Sequence, residues 1–272
     1  MLVVFSGGSG VGKNTVIEHL LKEGGYELMP TYTTRQQRPN ESVGNPYYFI
    51  TEDEFKEKIA SEELFEYNIV HGNYYGTSRV LYEEKIKSGK VLLKDIDVMG
   101  TQNLVETLGK QAAMLTIFLR VDSKEVLVER LKGRKELEID KRLQRYDLEQ
   151  TYQTKYDYII TNNTLEETLG ICRALVAHAK SGAALKATRE GGFDEQKVRA
   201  LAALLAQGEQ EVAPIDVAIR DGELYIVDGH LRYLASKLAG KKVAVSIVTP
   251  DRVACVPQDN WNAAVAHYQA KE

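Results

Sequence analysis

A short apolar strand that runs directly into a glycine-rich loop and then a helix most limits what this chain can fold into. The segment from residue 3 to residue 15 reads V-V-F-S-G-G-S-G-V-G-K-N-T. Its glycines let successive backbone N–H groups turn inward, where they and the positive end of the helix can bind phosphate oxygens. A lysine in the loop adds a mobile charge for the β- and γ-phosphates. We expect a nucleoside triphosphate to be bound by Gly7, Gly8, Ser9, Gly10, Val11, Gly12, Lys13, Asn14 and Thr15.

One position departs from the usual form of this loop. The pattern G-x-x-x-x-G-K normally continues with a serine or threonine whose hydroxyl binds Mg²⁺. Here Asn14 stands at that place and Thr15 follows it. We therefore expect Mg²⁺ to be held chiefly by phosphate oxygens and water, with Asp95 or Asp97 in the outer shell. We expect no metal site built from protein ligands alone.

Length, charge and hydropathy narrow the class of protein. A chain of 272 residues is long for one ordinary domain, so two domains are expected. The formal net charge of −4 gives no overall field that would draw the protein onto nucleic acid, so any such binding must be local. No stretch of about 18 apolar residues is present, which predicts a soluble, cytoplasmic protein with no membrane partner.

The order of strands and helices predicts an α/β protein. Buried parallel strands are expected at 2–6, 91–97, 112–120 and 157–161, because these runs are rich in Val, Ile and Leu. Amphipathic helices are expected between and after them, at 14–23, 52–60, 123–133 and 164–179. This alternation predicts a doubly wound parallel sheet over residues 1–180, with the nucleotide site at the carboxyl ends of its strands.

A second, smaller α/β domain is expected after a linker. Residues 181–192 contain small residues and a Gly-Gly pair, which is typical of a linker. The domain itself spans residues 193–272. Its predicted elements are a helix at 194–207, strands at 214–220 and 223–227 joined by an Asp-Gly turn, a helix at 230–239 and a strand at 243–248.

A polar, tyrosine-rich segment at residues 31–80 lies between the apolar strands expected at 2–6 and 91–97. Near its start the guanidinium groups of Arg35 and Arg38 stand three residues apart among hydroxyls and a phenol, and such groups can converge on a phosphate dianion. Farther along the segment, Glu66 is followed by several hydroxyl-bearing residues. A carboxylate and a hydroxyl could recognise a base that offers N–H groups beside a carbonyl.

These segments together resemble the guanylate kinases. The family patterns T-T-R-x-x-R-x-x-E-x-x-G-x-x-Y and D-I-D-x-x-G occur here, as does G-N-Y-Y-G-[ST], which the pair Phe65-Glu66 precedes, and the resemblance covers about residues 1–180. It implies that the acceptor phosphate is bound by Thr31, Arg35, Arg38, Tyr47 and Tyr75, and that guanine is read by Glu66, Thr77 and Asp97.

The same resemblance implies a lid that closes over the triphosphate. Its arginines would be Arg130, Arg134 and Arg142, with Arg130 and Arg142 acting in catalysis beside Lys13, and Asn162 would contact adenine. For these arginines the alternative is a solvated helix face. Phosphoryl transfer depends mostly on positioning and charge neutralisation, and such a set of cations meets that need.

A segment of about residues 194–250 resembles the ParB/sulfiredoxin-like fold. An apolar strand pair precedes G-x-x-R-x-x-A at a helix start, here Gly229, Arg232 and Ala235. The resemblance implies that Gly229, His230 and Arg232 contact a nucleotide phosphate or DNA. The alternative is an ordinary capped helix that carries a surface arginine.

The pairing of the two domains resembles bacteriophage kinases of DNA hypermodification. This implies, as the first interpretation, ATP-dependent phosphorylation of the hydroxymethyl group of 5-hydroxymethyluracil in DNA, with modified DNA as partner. The acceptor segments favour the alternative, a GMP or dGMP kinase that uses ATP and Mg²⁺. A non-catalytic nucleotide-binding scaffold is a further alternative, which the presence of Lys13, Arg35 and Arg38 disfavours.

Overall fold

The computed structural model describes residues 1–37, 41–44, 46–70, 72–109, 112–133, 138–187 and 194–248. Two compact units form, one from Met1–Leu119 with Glu125–Glu149 and one from Arg120–Lys124 with the chain after residue 149. Arg38, Arg134, a stretch of the expected linker and the end of the expected second domain lie outside the described residues. No helix among the described residues is both long and apolar enough to cross a membrane.

The described strands are β1 Leu2–Ser6, β2 Tyr26–Leu28, β3 Thr31–Thr33, β4 Ser42–Val43, β5 Pro46–Phe49, β6 Leu64–Val70, β7 Asn73–Ser78, β8 Val91–Asp95, β9 Met114–Arg120, β10 Tyr158–Thr161, β11 Lys186–Ala187, β12 Ile215–Arg220, β13 Glu223–Asp228 and β14 Val245–Val248. The described α-helices are α1 Lys13–Lys22, α2 Glu52–Ala60, α3 Arg79–Lys85, α4 Val98–Leu108, α5 Lys124–Gly133, α6 Ile139–Gln150, α7 Leu165–Ser181, α8 Glu195–Gln207 and α9 His230–Leu238.

A parallel sheet in the order β2, β8, β1, β9 forms the centre of the first unit. Every residue of β1 is buried, as expected of a strand covered on both faces. The predicted strand 91–97 ends at Asp95, because Asp97 caps α4 with a side-chain oxygen that accepts the N–H of Gly100 at 2.8 Å. Helix α4 was not predicted.

A second sheet, which the sequence did not predict, occupies the polar segment of this unit. Its order is β4, β5, β3, β7, β6, with parallel pairs among β3, β4 and β5 and antiparallel pairs made by β7 with β3 and β6. Most residues of β3 and all of β5 are only partly buried. The expected polar excursion is therefore a sheet whose partly buried strands lack the apolar runs that reveal buried strands.

The core of this unit connects its two sheets. One buried cluster combines residues of β1 and β8, of the second sheet and of helices α3 and α4 with Met29, which lies between β2 and β3. Its members are Leu2, Val4, Met29, Phe65, Tyr82, Leu92, Leu104 and Leu108. The face of β8 that carries Leu92 therefore packs toward β6, the strand that carries Phe65. This packing brings the polar residues of the second sheet close to the carboxyl end of the parallel sheet.

The strands of the second unit pair in the order β10, β14, β12, β13, β11. Strands β12 and β13 form the predicted hairpin, and both turn residues, Asp221 and Gly222, have positive φ. Strand β10, expected to belong to the first domain, pairs in parallel with β14. The domain division after residue 180 stays a prediction.

Candidate active site

The glycine-rich loop between β1 and α1 has the backbone that phosphate binding requires. Gly7, Gly10 and Gly12 have φ of 128°, 93° and 101°, a region that side-chain-bearing residues rarely enter. A Cβ on Gly7 would lie 2.1 Å from the carbonyl oxygen of Leu119, so the loop packs tightly as well. Gly12 caps α1 without a side-chain hydrogen bond, which leaves the first N–H groups of the helix available to an anion.

Lys13 lies at the start of α1 and reaches back over the loop. Its Nζ donates to the carbonyl oxygens of Gly7 at 2.6 Å and Gly8 at 3.1 Å. The same Nζ lies 3.9 Å from the carboxylate of Asp95 at the end of β8. The Asp95 side chain is 35% exposed, but the surrounding cavity walls withhold water from its carboxyl and raise its pKa, while Lys13 acts in the opposite direction.

A cavity of about 330 Å³ extends from this loop to the second sheet. It is lined by Gly7, Ser9, Gly10, Gly12, Lys13, Asn14, Thr31, Tyr47, Glu66, Asn68, Tyr75, Asp95, Ile96, Asp97, Gly100, Arg142, Arg145 and Glu149. The structure thus brings into one space most residues expected to bind the triphosphate and most of those expected to bind the acceptor. Both sets belong to the first compact unit.

Strand register places the residues expected to read the base. Glu66 on β6 is the cross-strand partner of Thr77 on β7, and the Thr77 hydroxyl donates to the Glu66 carboxylate. Thr77 itself is fully buried. Burial raises the pKa of Glu66, and the charge of Lys94 and the Thr77 hydroxyl act against that rise. Asp97 accepts a hydrogen bond from the Asn68 side chain at 3.4 Å.

Register also assembles the residues expected to bind the acceptor phosphate. Thr31 on β3 is the partner of Tyr47 on β5, and the ring of Tyr47 meets that of Tyr75 at 5.9 Å. Burial raises the pKa of Tyr47 to about 12, so its phenol keeps its proton at neutral pH. The Arg35 guanidinium lies 5.2 Å from the Tyr47 ring centre, and its Nη2 donates to both carboxylate oxygens of Glu41, at 2.7 and 3.0 Å.

The expected lid arginines occupy different places. Arg142 on α6 lines the cavity. Arg130 on α5 donates to the carbonyl oxygen of Val11 at 3.3 Å, so it contacts the backbone of the glycine-rich loop. Its expected catalytic role stays a prediction. Arg145, one turn after Arg142, lies 3.6 Å from Asp97 and donates to Glu149 at 2.9 Å.

Other expected site residues lie in the second unit. The Asn162 side-chain oxygen accepts from the Thr168 hydroxyl at 2.8 Å, a contact that fastens the start of α7. Arg232 donates to the carbonyl oxygen of Pro214 at 2.9 Å and to Asp228 at 3.0 Å, and His230 is buried. The predicted adenine and DNA contacts stay predictions.

Four residues of this region were missed in the sequence: Asn68, Lys94, Arg145 and Glu149. The signal for Lys94 was available, since a charged residue inside the apolar strand V-L-L-K-D is unusual. Arg145 and Glu149 are an i,i+4 pair on α6, a spacing that is common on solvated helices and so indicates little alone.

Comparison with known proteins shows to which family the chain belongs. The family model described as guanylate kinase matches residues 1–179. The chain belongs to the guanylate kinase family. The guanylate kinase of Fusobacterium nucleatum is 39% identical over 184 residues, which are 66% of this chain and 96% of that protein. That of Synechocystis sp. is 39% identical over 172 residues, covering 62% of this chain and 88% of that protein.

A solved structure gives the same relation. The crystal structure of guanylate kinase from Anaplasma phagocytophilum has a TM-score of 0.53 and 30% identity, over 66% of this chain and 85% of that one. This protein is an ATP-dependent kinase, and ATP and Mg²⁺ are its phosphate donor and cofactor. The comparisons favour a nucleotide acceptor and do not support the first interpretation, a modified base in DNA. The ParB-like resemblance stays a prediction.

Proposed function

We propose that this protein transfers the γ-phosphoryl group of ATP to the phosphate of GMP or dGMP, which yields GDP or dGDP and ADP. The observation that carries the proposal is one cavity that contains both the phosphate loop with Lys13 and the Glu66 carboxylate. A nucleoside monophosphate carries its base at one end and its phosphate at the other, so the base can meet Glu66 while the phosphate faces the loop. Such an acceptor can therefore be held entirely between the second sheet and the loop.

The reaction needs one bond to form and one to break. An oxygen of the acceptor phosphate attacks the γ-phosphorus, and the bond from that phosphorus to the β,γ-bridging oxygen breaks. The second pKa of a phosphate monoester is about 6, so at neutral pH the attacking oxygen carries no proton. Hence no catalytic base is required, and the protein contributes positioning and positive charge.

The residues of the cavity divide these tasks. Lys13 neutralises charge on the transferring group, together with the N–H groups of the loop and Arg142. On the acceptor side, Thr31 and the protonated phenol of Tyr47 are hydrogen-bond donors for phosphate oxygens. An ionised Glu66 accepts from N–H groups, and guanine offers two such groups, at N1 and N2. Adenine lacks an N1–H group and fits this carboxylate less well.

The donor groups near the loop fit a magnesium ion held mainly by the nucleotide. Asp95, Asp97 and the Asn14 side chain provide the hard oxygen atoms that Mg²⁺ prefers, and all three line the cavity. Within the described residues of the chain, no group of three or more His, Cys, Asp or Glu could hold a metal alone. When bound, the ion neutralises charge on the β- and γ-phosphates.

The proposal is tested by offering ATP with each acceptor in parallel: GMP, dGMP, AMP, free 5-hydroxymethyldeoxyuridine and DNA that contains 5-hydroxymethyluracil. We expect GDP and dGDP with little product from AMP and no phosphorylated DNA. Phosphorylation of the DNA alone would overturn the proposal.

Two variants identify the donor site in the same assay. Lys13→Ala should lower kcat about a thousand-fold, because the change removes a major charge stabiliser. Lys22→Ala, on the exposed last turn of the same helix, should leave kcat unchanged. Full activity of Lys13→Ala would mean that ATP is bound elsewhere, and no turnover by the unaltered protein with any acceptor would favour the scaffold alternative.

A further inference from the structure

A fully buried lysine lies behind the acceptor half of the cavity. Lys94 has no exposed surface. It is the fourth residue of β8, and the first four residues of this strand are all buried. A buried ammonium is costly unless hydrogen bonds and opposite charges compensate for lost water. The partners of Lys94 therefore show why the fold tolerates it.

The direction of the side chain follows from strand geometry. Side chains alternate along a strand, so Lys94 shares its face with Leu92, whereas Asp95 points to the other face, where it approaches Lys13. Leu92 belongs to the core cluster that joins β8 to the second sheet. The Lys94 stem runs along this core, and its ammonium ends at the Thr31 hydroxyl, with an Nζ–Oγ1 distance of 2.7 Å.

This contact fixes the direction of hydrogen bonding at Thr31. An ammonium group has only donors, so Thr31 Oγ1 must accept from Lys94. The hydroxyl hydrogen of Thr31 is then directed away from Lys94. Thr31 lines the cavity beside Tyr47, so this hydrogen can be donated to an acceptor phosphate, whose oxygens only accept.

The same ammonium acts on Glu66. Burial favours the protonated form of Glu66, and the positive charge of Lys94 favours the ionised form. The other charged groups that act on this pair are Asp97, which favours protonation of Glu66, and Asp95, which favours the charged form of Lys94. Only an ionised carboxylate accepts through both oxygens, as a base edge with two N–H donors requires.

We propose that Lys94 is a positioning residue for the acceptor nucleotide, which holds Thr31 as a donor to the phosphate and Glu66 as an acceptor for the base. The inference rests on the proposed function, because it takes GMP as the acceptor. Lys94 lies behind the cavity wall and acts through these two side chains. One buried charge thereby links the recognition of both ends of the nucleotide.

The test compares Lys94→Met, which keeps the length of the side chain and removes the charge, with Lys90→Met on the exposed residue just before β8. We expect Lys94→Met to raise the KM and the Kd for GMP about 10- to 100-fold, as for loss of a charge-assisted hydrogen bond. The KM for ATP and the kcat should change less than threefold. Lys90→Met should change none of these values.

A double-mutant cycle separates this role from a purely structural one. In a Glu66→Gln background the neutral amide needs no counter-charge, so Lys94→Met should weaken GMP binding less than it does beside Glu66. Should Lys94→Met fail to fold, Lys94→Gln replaces it, since Gln keeps a donor for Thr31 without the charge. An unchanged KM for GMP, or full additivity in the cycle, would overturn the inference.

Failure of the proposed function gives a different pattern. If the unaltered protein binds GMP without phosphorylating it, the proposed function fails and the Kd values still test Lys94. If it does not bind GMP at all, both proposals are wrong.

Discussion

At the scale of single residues, a comparison of two glycines distinguishes the cost of backbone strain from the cost of a steric clash. Gly7 and Gly24 both have positive φ, 128° and 81°. A Cβ on Gly24 would meet nothing within 4 Å, whereas one on Gly7 would lie 2.1 Å from the Leu119 carbonyl oxygen. The left-handed region costs a non-glycine residue about 1–2 kcal/mol, and a backbone clash adds to that cost.

We therefore expect Gly24→Ala to lower the free energy of unfolding by about 1–2 kcal/mol and to leave GMP turnover unchanged. Gly7→Ala should lower it by more than about 3 kcal/mol and abolish turnover, since β9 and the loop must separate. Urea unfolding and initial rates check both variants. Equal losses of stability would show that the close contact to Leu119 carries no energy.

The buried ammonium of Lys94 predicts a pH dependence of stability. Burial lowers the pKa of Lys94 to about 8, below the value of about 10.4 expected in an unfolded chain. Between these values the unfolded chain binds more protons, so the free energy of unfolding rises with pH through this range. Below about pH 8 both the folded and the unfolded chain carry the proton on Lys94, so Lys94 no longer makes the free energy of unfolding depend on pH.

The measurement is urea unfolding at pH 7.5 and 9.5. From pH 7.5 to 9.5 the unaltered protein should gain about 2 kcal/mol relative to Lys94→Met, at about 1.4 kcal/mol for each pH unit above the lowered pKa. Taking the difference between the two proteins cancels the contributions of other groups that titrate in this pH range. An identical pH dependence of both proteins contradicts a lowered pKa at Lys94.

At the scale of elements, the register of β6 and β7 determines the base-reading pair. Thr77→Val keeps the shape of a fully buried side chain and removes the hydroxyl that donates to Glu66. Burial already raises the pKa of Glu66, and loss of the hydroxyl should raise it further. As the pH is lowered, Glu66 of the variant therefore becomes protonated sooner than Glu66 of the unaltered protein. We expect the KM for GMP to rise about 5- to 10-fold at pH 8, and by a larger factor at pH 6.

The matched control is Thr107→Val on α4, whose hydroxyl donates to the carbonyl oxygen of Asn103 at 2.9 Å. It makes the same chemical change away from the cavity and should leave the KM for GMP constant across this pH range. A pH-independent effect of Thr77→Val would mean that the hydroxyl positions Glu66 without acting on its proton.

These elements also show how far the sequence alone reaches. Apolar runs such as 2–6 and the glycine loop predicted β1 and α1 closely, because buried strands and helix starts have local signals. The sheet of β3 to β7 had none, since its tyrosines and hydroxyls pair across strands in a register that only the fold defines. Arg130 donates to the carbonyl oxygen of Val11, a contact that no sequence pattern indicates, and its expected role in the lid stays a prediction.

At the scale of the whole molecule, the last third of the chain supplies a neighbour for a strand of the kinase region. Strand β10 lies within the region matched by the guanylate kinase model, and it pairs with β14 through Tyr158 and Ile159. The N–H of Val245 also donates to the Asp157 carbonyl oxygen at 3.0 Å. A chain that ends at Lys180 lacks β14 and leaves this edge of β10 unpaired.

We expect a chain ending at Lys180 to melt at least about 5 °C below one ending at Val248, which keeps β14, since a loss of about 2 kcal/mol lowers the Tm by roughly this amount. Both chains lack residues 249–272, so their comparison isolates the segment that contains β12 to β14. GMP turnover at low temperature should persist in the shorter chain, because every residue that lines the cavity precedes residue 150. Equal melting temperatures would show that β14 does not stabilise β10. Loss of turnover in a folded shorter chain would mean that the second half of the chain contributes to the reaction.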